Sequence, residues 1–252
     1  GGHKKDEKGK LLYDFPVAEK DPVVTIGGVL QTGTDLTQYV WILRDKGLEV
    51  NKLPAFPETQ DCAYAPEITK VYDFQNELEM LEDFFDWCVT NDIDIIQGHN
   101  VNRFDNAYML TRYTTIAPWT MQTKMQTKEK RPTLPVWGRM RQKGSKIEKK
   151  TFSSSQKGTN IQYRLHLPGR VVIDSYDIMK DQHNESSYKL DDLAQTYLGT
   201  KKVPMDYDMI YPKYQTMEGR RELAIYCVKD SWLVYKLMDK LCKQTVLFQM
   251  AN

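Results

Sequence analysis

Residues 93–113 read IDIIQGHNVNRFDNAYMLTRY, the most informative stretch of the chain. It opens with a short apolar run rich in isoleucine, which predicts a β-strand. Turn-forming residues end that strand at Gly98, and the residues that follow suit a helix. Asp105 is therefore predicted to lie where a strand passes into a helix, at the edge of an α/β sheet where such sheets bind ligands. The alternative is that Asp105 only caps the helix.

The elements on either side predict an α/β or α+β fold with a mixed sheet. Strands are expected at residues 23–30, 39–43 and 169–173, the first two joined as a hairpin through Gly33 and Thr34. Helices are expected at residues 76–89, from Ser186 or Ser187 to Leu198, and over residues 217–248. Asn76 is the predicted cap of the first of these helices, and Gly199 the predicted stop of the second. Residues 51–66 and 203–214 are expected to be loops.

Charge is nearly balanced overall but unevenly distributed. The 252 residues carry 35 basic and 34 acidic side chains. Residues 121–150 hold ten Lys or Arg against two Glu, a net charge of +8. We interpret residues 121–162 as a basic insertion or extended hairpin that would attract a polyanion. A solvated loop without such a partner is the alternative.

The remaining composition limits the class of protein. The four cysteines show no CxxC spacing, which argues against a zinc site and a disulfide framework and favours a reducing compartment. No apolar run approaches the roughly 18 residues that a membrane span needs. We therefore expect an intracellular protein without a membrane partner.

Two further carboxylates interrupt apolar patterns. Asp230 lies within the apolar stripe of the last predicted helix, seven residues from both Leu223 and Leu237. An unpaired buried carboxylate costs several kcal/mol, so a metal ion or a buried Arg should meet it. Tyr226 lies one turn earlier on the same face. Asp174 ends an apolar strand and repeats the pattern. The three acids suggest a site for Mg²⁺ or Mn²⁺; three structural hydrogen-bond acceptors are the alternative.

These residues resemble the exonuclease domain of family B DNA polymerases. The run GHNVNRFDNAYML resembles the family's second exonuclease motif, Tyr-Asn-x-x-Asn-Phe-Asp. Tyr226 to Asp230 resembles the third, Tyr-x-x-x-Asp. The runs FPVAEKDPVVTIG, GRVVIDSYDIM and SSYKLDDLAQTYLG also look like this family, most closely the delta-type and herpesvirus-like polymerases. The likeness covers nearly the whole chain in the correct order, with weak support only in residues 121–163.

The resemblance implies an RNase H-like (DnaQ-like) fold and 3′–5′ proofreading by two-metal hydrolysis of DNA. It implies Asp105 and Asp230 as ligands of two Mg²⁺ or Mn²⁺ ions, Tyr226 as the residue that orients the attacking water, and Lys189 as a residue near the scissile phosphate. Asp174 would be a supporting acid. The expected DNA contacts are Asn100, Arg103 and Phe104. Phe104 would stack on the frayed primer end, unless it is a plain core residue.

The chain departs from the family pattern in two respects. Arg103 stands where the pattern has Asn. The first motif, Asp-x-Glu, is absent upstream of Phe15, and Asp6 with Glu7 cannot replace it because adjacent strand residues face opposite sides. We therefore expect a fragment that begins just after that motif, with the polymerase domain beyond Asn252, and we expect the fragment alone to be inactive.

The leading hypothesis is the editing domain of a replicative DNA polymerase acting on a single-stranded 3′ primer end. Its expected partners are DNA, the remainder of the polymerase polypeptide, a processivity factor and accessory subunits, in the nucleus or at a viral replication site. The alternative is an inactive editing domain that binds DNA or serves as a scaffold. A stand-alone exonuclease of the same superfamily is a third possibility.

Overall fold

The computed structural model describes residues 4–5, 11–12, 16–44, 69–124, 127–132, 134–140, 143–154 and 158–241. The described strands are β1 (Lys4–Lys5), β2 (Leu11–Leu12), β3 (Thr25–Thr32), β4 (Asp35–Leu43), β5 (Thr69–Phe74), β6 (Ile95–Gly98), β7 (Trp119–Lys124), β8 (Thr127–Pro132), β9 (Lys146–Ser154), β10 (Gly158–His166) and β11 (Val171–Asp174). The helices are α1 (Glu77–Thr90), α2 (Asp105–Ile116), α3 (Ser175–Gln182), α4 (Leu190–Leu198), α5 (Ile210–Tyr214) and α6 (Met217–Lys240). The predicted mixed α/β class is confirmed.

The strands form several small sheets. β3 and β4 are antiparallel, and Thr32 pairs with Asp35 across a two-residue loop in which Gly33 has a φ of +61°. β5 lies parallel to β4. β6 and β11 form a separate parallel pair in which Gly98 is opposite Asp174. The carboxyl ends of β6 and β11 therefore meet at one edge, which is where the sequence places Asp105 and Asp174.

The core lies on both sides of β4. Tyr39, Trp41 and Leu43 join an aromatic cluster with α1 and α2, whereas Val40 and Ile42 join a second cluster with α3, α4 and α6. This alternation follows from the two-residue period of a strand. Because β4 is buried on both faces, it is the strand around which the helices are arranged.

The helices that carry the candidate site are fixed by specific contacts. Arg112 on α2 makes a bidentate pair with Glu77 at the start of α1, with its shortest contact 2.7 Å from Nη2 to Oε2. Glu77 also accepts the backbone N–H of Val23 at 2.7 Å. α6 packs across β3, β4 and β6. A Cβ built on Gly27 of β3 would lie 2.7 Å from the carbonyl carbon of Cys227 on α6, so helix and strand touch backbone to backbone.

Most local expectations are confirmed. The hairpin of β3 and β4, the helix after β6 and the strand ending at Asp174 are all present. Asn76 caps α1, since its side chain accepts the N–H groups of Leu78 and Glu79. Gly199 ends α4 with a φ of +69°. The basic segment forms two antiparallel hairpins, β7 with β8 and β9 with β10, rather than a single extended one.

Several expectations are wrong. β5 and α3 were not predicted, and residues 203–214 contain α5 and a short 3₁₀ turn instead of only a loop. α4 begins after Lys189, not at Ser186 or Ser187, because the hydroxyl of Ser187 binds Asp192 and the N–H of Lys189 from outside the helix. The described part of α6 ends at Lys240. The predicted loop at residues 51–66 and the predicted helical residues 242–248 lie outside the described residues.

The contact between Gly27 and Cys227 predicts a steric effect of substitution. Gly27→Ala would place a methyl group against the α6 backbone, which cannot rotate away as a side chain can. We expect it to destabilise the fold by about 1–3 kcal/mol, the usual cost of overpacking, measured by urea denaturation. Gly28→Ala is the matched control, because its nearest contact would be a ring carbon of Trp41 at 3.9 Å. Equal stability of the two variants would contradict the close approach.

Candidate active site

Asp105 is the first residue of α2. The N-cap is Phe104, which makes no side-chain capping bond, so the alternative that Asp105 serves as the helix cap is wrong. Solvent reaches one side of Asp105. Burial on its other sides raises its pKa to about 6, and the charges of Asp174 and Asp230 raise it further, against an opposing effect of Lys202. Asp105 is therefore a solvent-accessible carboxylate whose charged form a cation would stabilise.

Asp230 lies in the middle of α6 and is half-buried. Its Oδ2 is 2.5 Å from the Nζ of Lys202. Its Oδ1 is buried and has no hydrogen-bond partner among the described residues. Burial raises the pKa of Asp230, while the ammonium of Lys202 lowers it without cancelling the effect of burial. A hydrogen bond with the Tyr226 side chain also lowers the pKa of Asp230, so this carboxylate interacts with both Lys202 and Tyr226.

Asp105 and Asp230 belong to one electrostatic site. The pKa of the Cys227 thiol is raised to about 12, mainly by burial and further by the charges of Asp230 and Asp105. Asp230 also raises the pKa of Asp105 directly. Two like charges in partly desolvated surroundings repel each other unless a cation lies between them. The two carboxylates therefore influence each other electrostatically, and their joint binding of a metal ion stays a prediction.

Lys202 is the cation that meets this pair, and the sequence did not single it out. Its Nζ is 3.2 Å from the hydroxyl of Tyr226 and 5.1 Å from the centre of the Tyr226 ring. Burial disfavours its ammonium, but the charges and hydrogen bonds of Asp230 and Tyr226 together outweigh burial, so the pKa of Lys202 lies above its usual value. Burial and the charge of Asp230 raise the pKa of Tyr226, so the phenol stays protonated.

Lys189, the lysine expected near the scissile phosphate, has a different setting. It is the exposed N-cap of α4. Among the described residues, the ammonium that contacts Tyr226 and Asp230 is that of Lys202, not that of Lys189. Sequence reasoning required a cation opposite Asp230, but expected a metal ion or an Arg. Only the fold brings Lys202, 28 residues away, onto the α6 face.

Asp174 has a structural role. It is 6% exposed, and its Oδ1 accepts the N–H of Asn100 at 2.7 Å and of Tyr176 at 3.1 Å. Its Oδ2 accepts the N–H of Asn102 at 3.1 Å. It is the N-cap of α3. With both oxygens engaged, Asp174 fits the alternative of a structural acceptor, and it holds the turn that leads to Asp105.

The expected DNA contacts lie in that same turn. Asn100 has a φ of +60°, a backbone conformation that Asn tolerates better than most residues. Phe104 is half-buried, belongs to neither core cluster, and has its ring centre 5.6 Å from that of Tyr108. Arg103 is bound to Asp177 on α3, with Nη2 2.8 Å from Oδ1. Phe104 is therefore not a plain core residue, and Arg103 already has an anionic partner.

The carboxylates partly fit a divalent ion. Mg²⁺ prefers oxygen ligands and is commonly held by one or two carboxylates together with substrate phosphates. The unpartnered Oδ1 of Asp230 and the destabilised carboxylate of Asp105 supply such oxygens. Among the described residues, no group of three or more His, Cys, Asp or Glu forms a complete cage. The two acids could thus hold a metal ion only with help from substrate or other ligands.

Comparison with known proteins gives the family. A family model described as "DNA polymerase family B, exonuclease domain" matches residues 3–193. The chain belongs to this family.

Its relatives are polymerase subunits. The chain is 33% identical to the DNA polymerase delta catalytic subunit of Schizosaccharomyces pombe, over 69% of this chain and 15% of that protein. It is 32% identical to the DNA polymerase catalytic subunit of Saimiriine herpesvirus 2, over 69% of this chain and 16% of that protein. The predicted resemblance to delta-type and herpesvirus-like polymerases is confirmed. The chain spans less than a fifth of the length of these relatives.

The pKa of Asp105 predicts an unusual pH dependence of stability. Its folded pKa of about 6 exceeds the ordinary aspartate value of 3.8, so the folded state binds more protons than the unfolded state between these values. Stability contributed by this group is therefore lost as pH rises from about 4 to 6. Asp105→Asn should be more stable than the parent chain at pH 7, with the difference vanishing near pH 4 in thermal unfolding. A pH-independent difference would contradict the raised pKa of this carboxylate.

Proposed function

We propose that this chain is the proofreading 3′–5′ exonuclease domain of a replicative DNA polymerase, with an RNase H-like arrangement of its strands. The observation that supports the proposal is the electrostatic interaction between Asp105, at the start of α2, and Asp230, on α6, in a chain of this family. The substrate is the single-stranded 3′ end of DNA, and the product is a nucleoside monophosphate.

Each residue of the site has a proposed task. Asp105 and Asp230 would hold two Mg²⁺ or Mn²⁺ ions, which supply Lewis-acid stabilisation of the phosphate and activation of water. The protonated phenol of Tyr226 can donate a hydrogen bond that orients the attacking oxygen. Lys202 fixes that phenol through its 3.2 Å contact and supplies positive charge beside the phosphate. Lys189 and the supporting acid Asp174 remain proposals, the latter acting through the turn that it holds.

Substrate binding would use the turn after β6. Phe104, outside the core clusters, can stack on any terminal base. The hairpins β7–β8 and β9–β10 carry most of the basic residues between positions 121 and 150 and could contact the DNA backbone.

The same relatives suggest the setting. We propose that the remainder of the polymerase polypeptide, a processivity factor and accessory subunits are its partners, in a nucleus or at a viral replication site. None of the described helices has the length and apolar character required to cross a bilayer.

An inactive editing domain that binds DNA is the second candidate function. It is favoured by Lys202, whose ammonium already neutralises Asp230 at 2.5 Å and so takes part of the role of a metal ion. Such a domain would retain 3′-end binding without hydrolysis.

Removing either carboxylate tests the nuclease. In the full-length polymerase, Asp105→Ala and Asp230→Ala should each abolish degradation of a labelled 3′ single strand, because a metal ion would lose a ligand. Primer extension on a matched template is the control and should persist. Hydrolysis retained in both variants would remove these acids from the active site. A parent enzyme that binds the 3′ end but does not hydrolyse it would establish the inactive alternative.

The contributions of Lys202 and Lys189 to hydrolysis can be distinguished by a matched pair of substitutions. Lys202→Met should lower the rate of hydrolysis by about 10²-fold or more, as loss of one electrostatic contact to a transition state commonly does. Lys189→Met removes an equal charge from the exposed cap of α4, and should reduce the rate much less if Lys202 is the lysine that serves the reaction. Single-turnover digestion of a labelled strand measures both. The reverse order of effects would assign the role to Lys189.

A further inference from the structure

The turn between β6 and α2 rests on the first turn of α3. Its backbone is tied there by Asp174, which accepts the N–H groups of Asn100 and Asn102. Its side chains contact the next three residues of the helix, Ser175, Tyr176 and Asp177. The turn ends in Phe104 and Asp105, so its position sets the position of both.

Two side chains make these contacts. His99 has its Nδ1 2.9 Å from the hydroxyl of Ser175, and its ring meets that of Tyr176 edge-on at 5.7 Å. Its Nε2 lies 2.9 Å from the carbonyl oxygen of Tyr188, and burial lowers its pKa. His99 is therefore held in a neutral form between α3 and the segment before α4.

Arg103 makes the complementary contacts. Its Nη2 is 2.8 Å from Oδ1 of Asp177, its Nη1 donates to Oδ1 of Asn100 at 3.4 Å, and its guanidinium lies 5.0 Å from the centre of the Tyr176 ring. The family pattern has Tyr at the position of His99 and Asn at that of Arg103. His99 and Arg103 thus contact successive residues in the first turn of α3, and both lie against the ring of Tyr176.

We propose that Arg103 is a positioning residue that clasps the turn to α3 through Asp177 and Tyr176, rather than a contact to DNA phosphate. The clasp closes a loop of interactions in which Asn100 is bound at its backbone by Asp174 and at its side chain by Arg103. It restricts the turn immediately before Phe104 and Asp105. Only the effect of the clasp on catalysis rests on the proposed function.

Amide hydrogen exchange tests the clasp without any nuclease assay. In Arg103→Asn, which introduces the residue of the family pattern, the amides of Asn100 and Asn102 should exchange about two- to fivefold faster, the factor expected for a partly exposed ion pair. Asp177→Asn should have the same effect, and the double variant should add little, because one interaction is lost in all three. Lys180→Gln is the control, since its Nζ faces the same ring at 5.8 Å without touching the turn.

The outcomes separate the two roles of Arg103. Unchanged exchange in Arg103→Asn would overturn the proposal, and weaker binding of a single-stranded 3′ end with unchanged exchange would assign Arg103 to a phosphate. In the full-length polymerase, Arg103→Asn should lower kcat on a 3′ single strand with little change in KM, and Arg103→Lys should restore part of it. A drop confined to KM would also overturn it. An inactive parent enzyme would contradict the proposed function but leave the exchange experiment decisive.

Discussion

The candidate site depends on one buried carboxylate that binds only backbone. Asp174 ends β11, begins α3 and accepts N–H groups from the turn after β6. Parallel strands bring their carboxyl ends to one edge, but they do not fix the loops that leave that edge. Here the acid on one strand satisfies amides that the neighbouring turn would otherwise leave buried and unpaired, which is costly. The direction in which α2 departs, and with it the place of Asp105, follows from this arrangement.

Negative and positive charges within the candidate site do not balance. Asp105 and Asp230 face a single ammonium, that of Lys202, so the described groups leave an excess of negative charge in partly desolvated surroundings. Such an excess persists only where something compensates it, which is why perturbed carboxylates cluster at functional sites. The lysine limits the repulsion in the absence of other cations. It also holds the phenol of Tyr226, so the same charge stabilises the fold and orders a polar group.

Local signals explain what the sequence could predict. The hairpin at Gly33, the cap at Asn76, the stop at Gly199 and the passage from β6 into α2 each depend on residues close together in the chain. β5 escaped prediction because its residues, TKVYDF, include two charges and obtain their order from pairing with β4. The capping role of Asp174 was not predicted, because α3 itself was not foreseen. Lys202 could not be found because no local pattern links it to Asp230, which lies 28 residues later in the chain.

The close approach at Gly27 has a mechanical consequence. Elsewhere in the core, side chains separate helix from sheet and can adjust when one of them shifts. At Gly27 the backbone of the strand lies directly against the carbonyl of Cys227, with no side chain between them. Tyr226 and Asp230 lie one residue before and three residues after that point of contact. A displacement of β3 at Gly27 would therefore act directly on the α6 backbone that carries both candidate side chains.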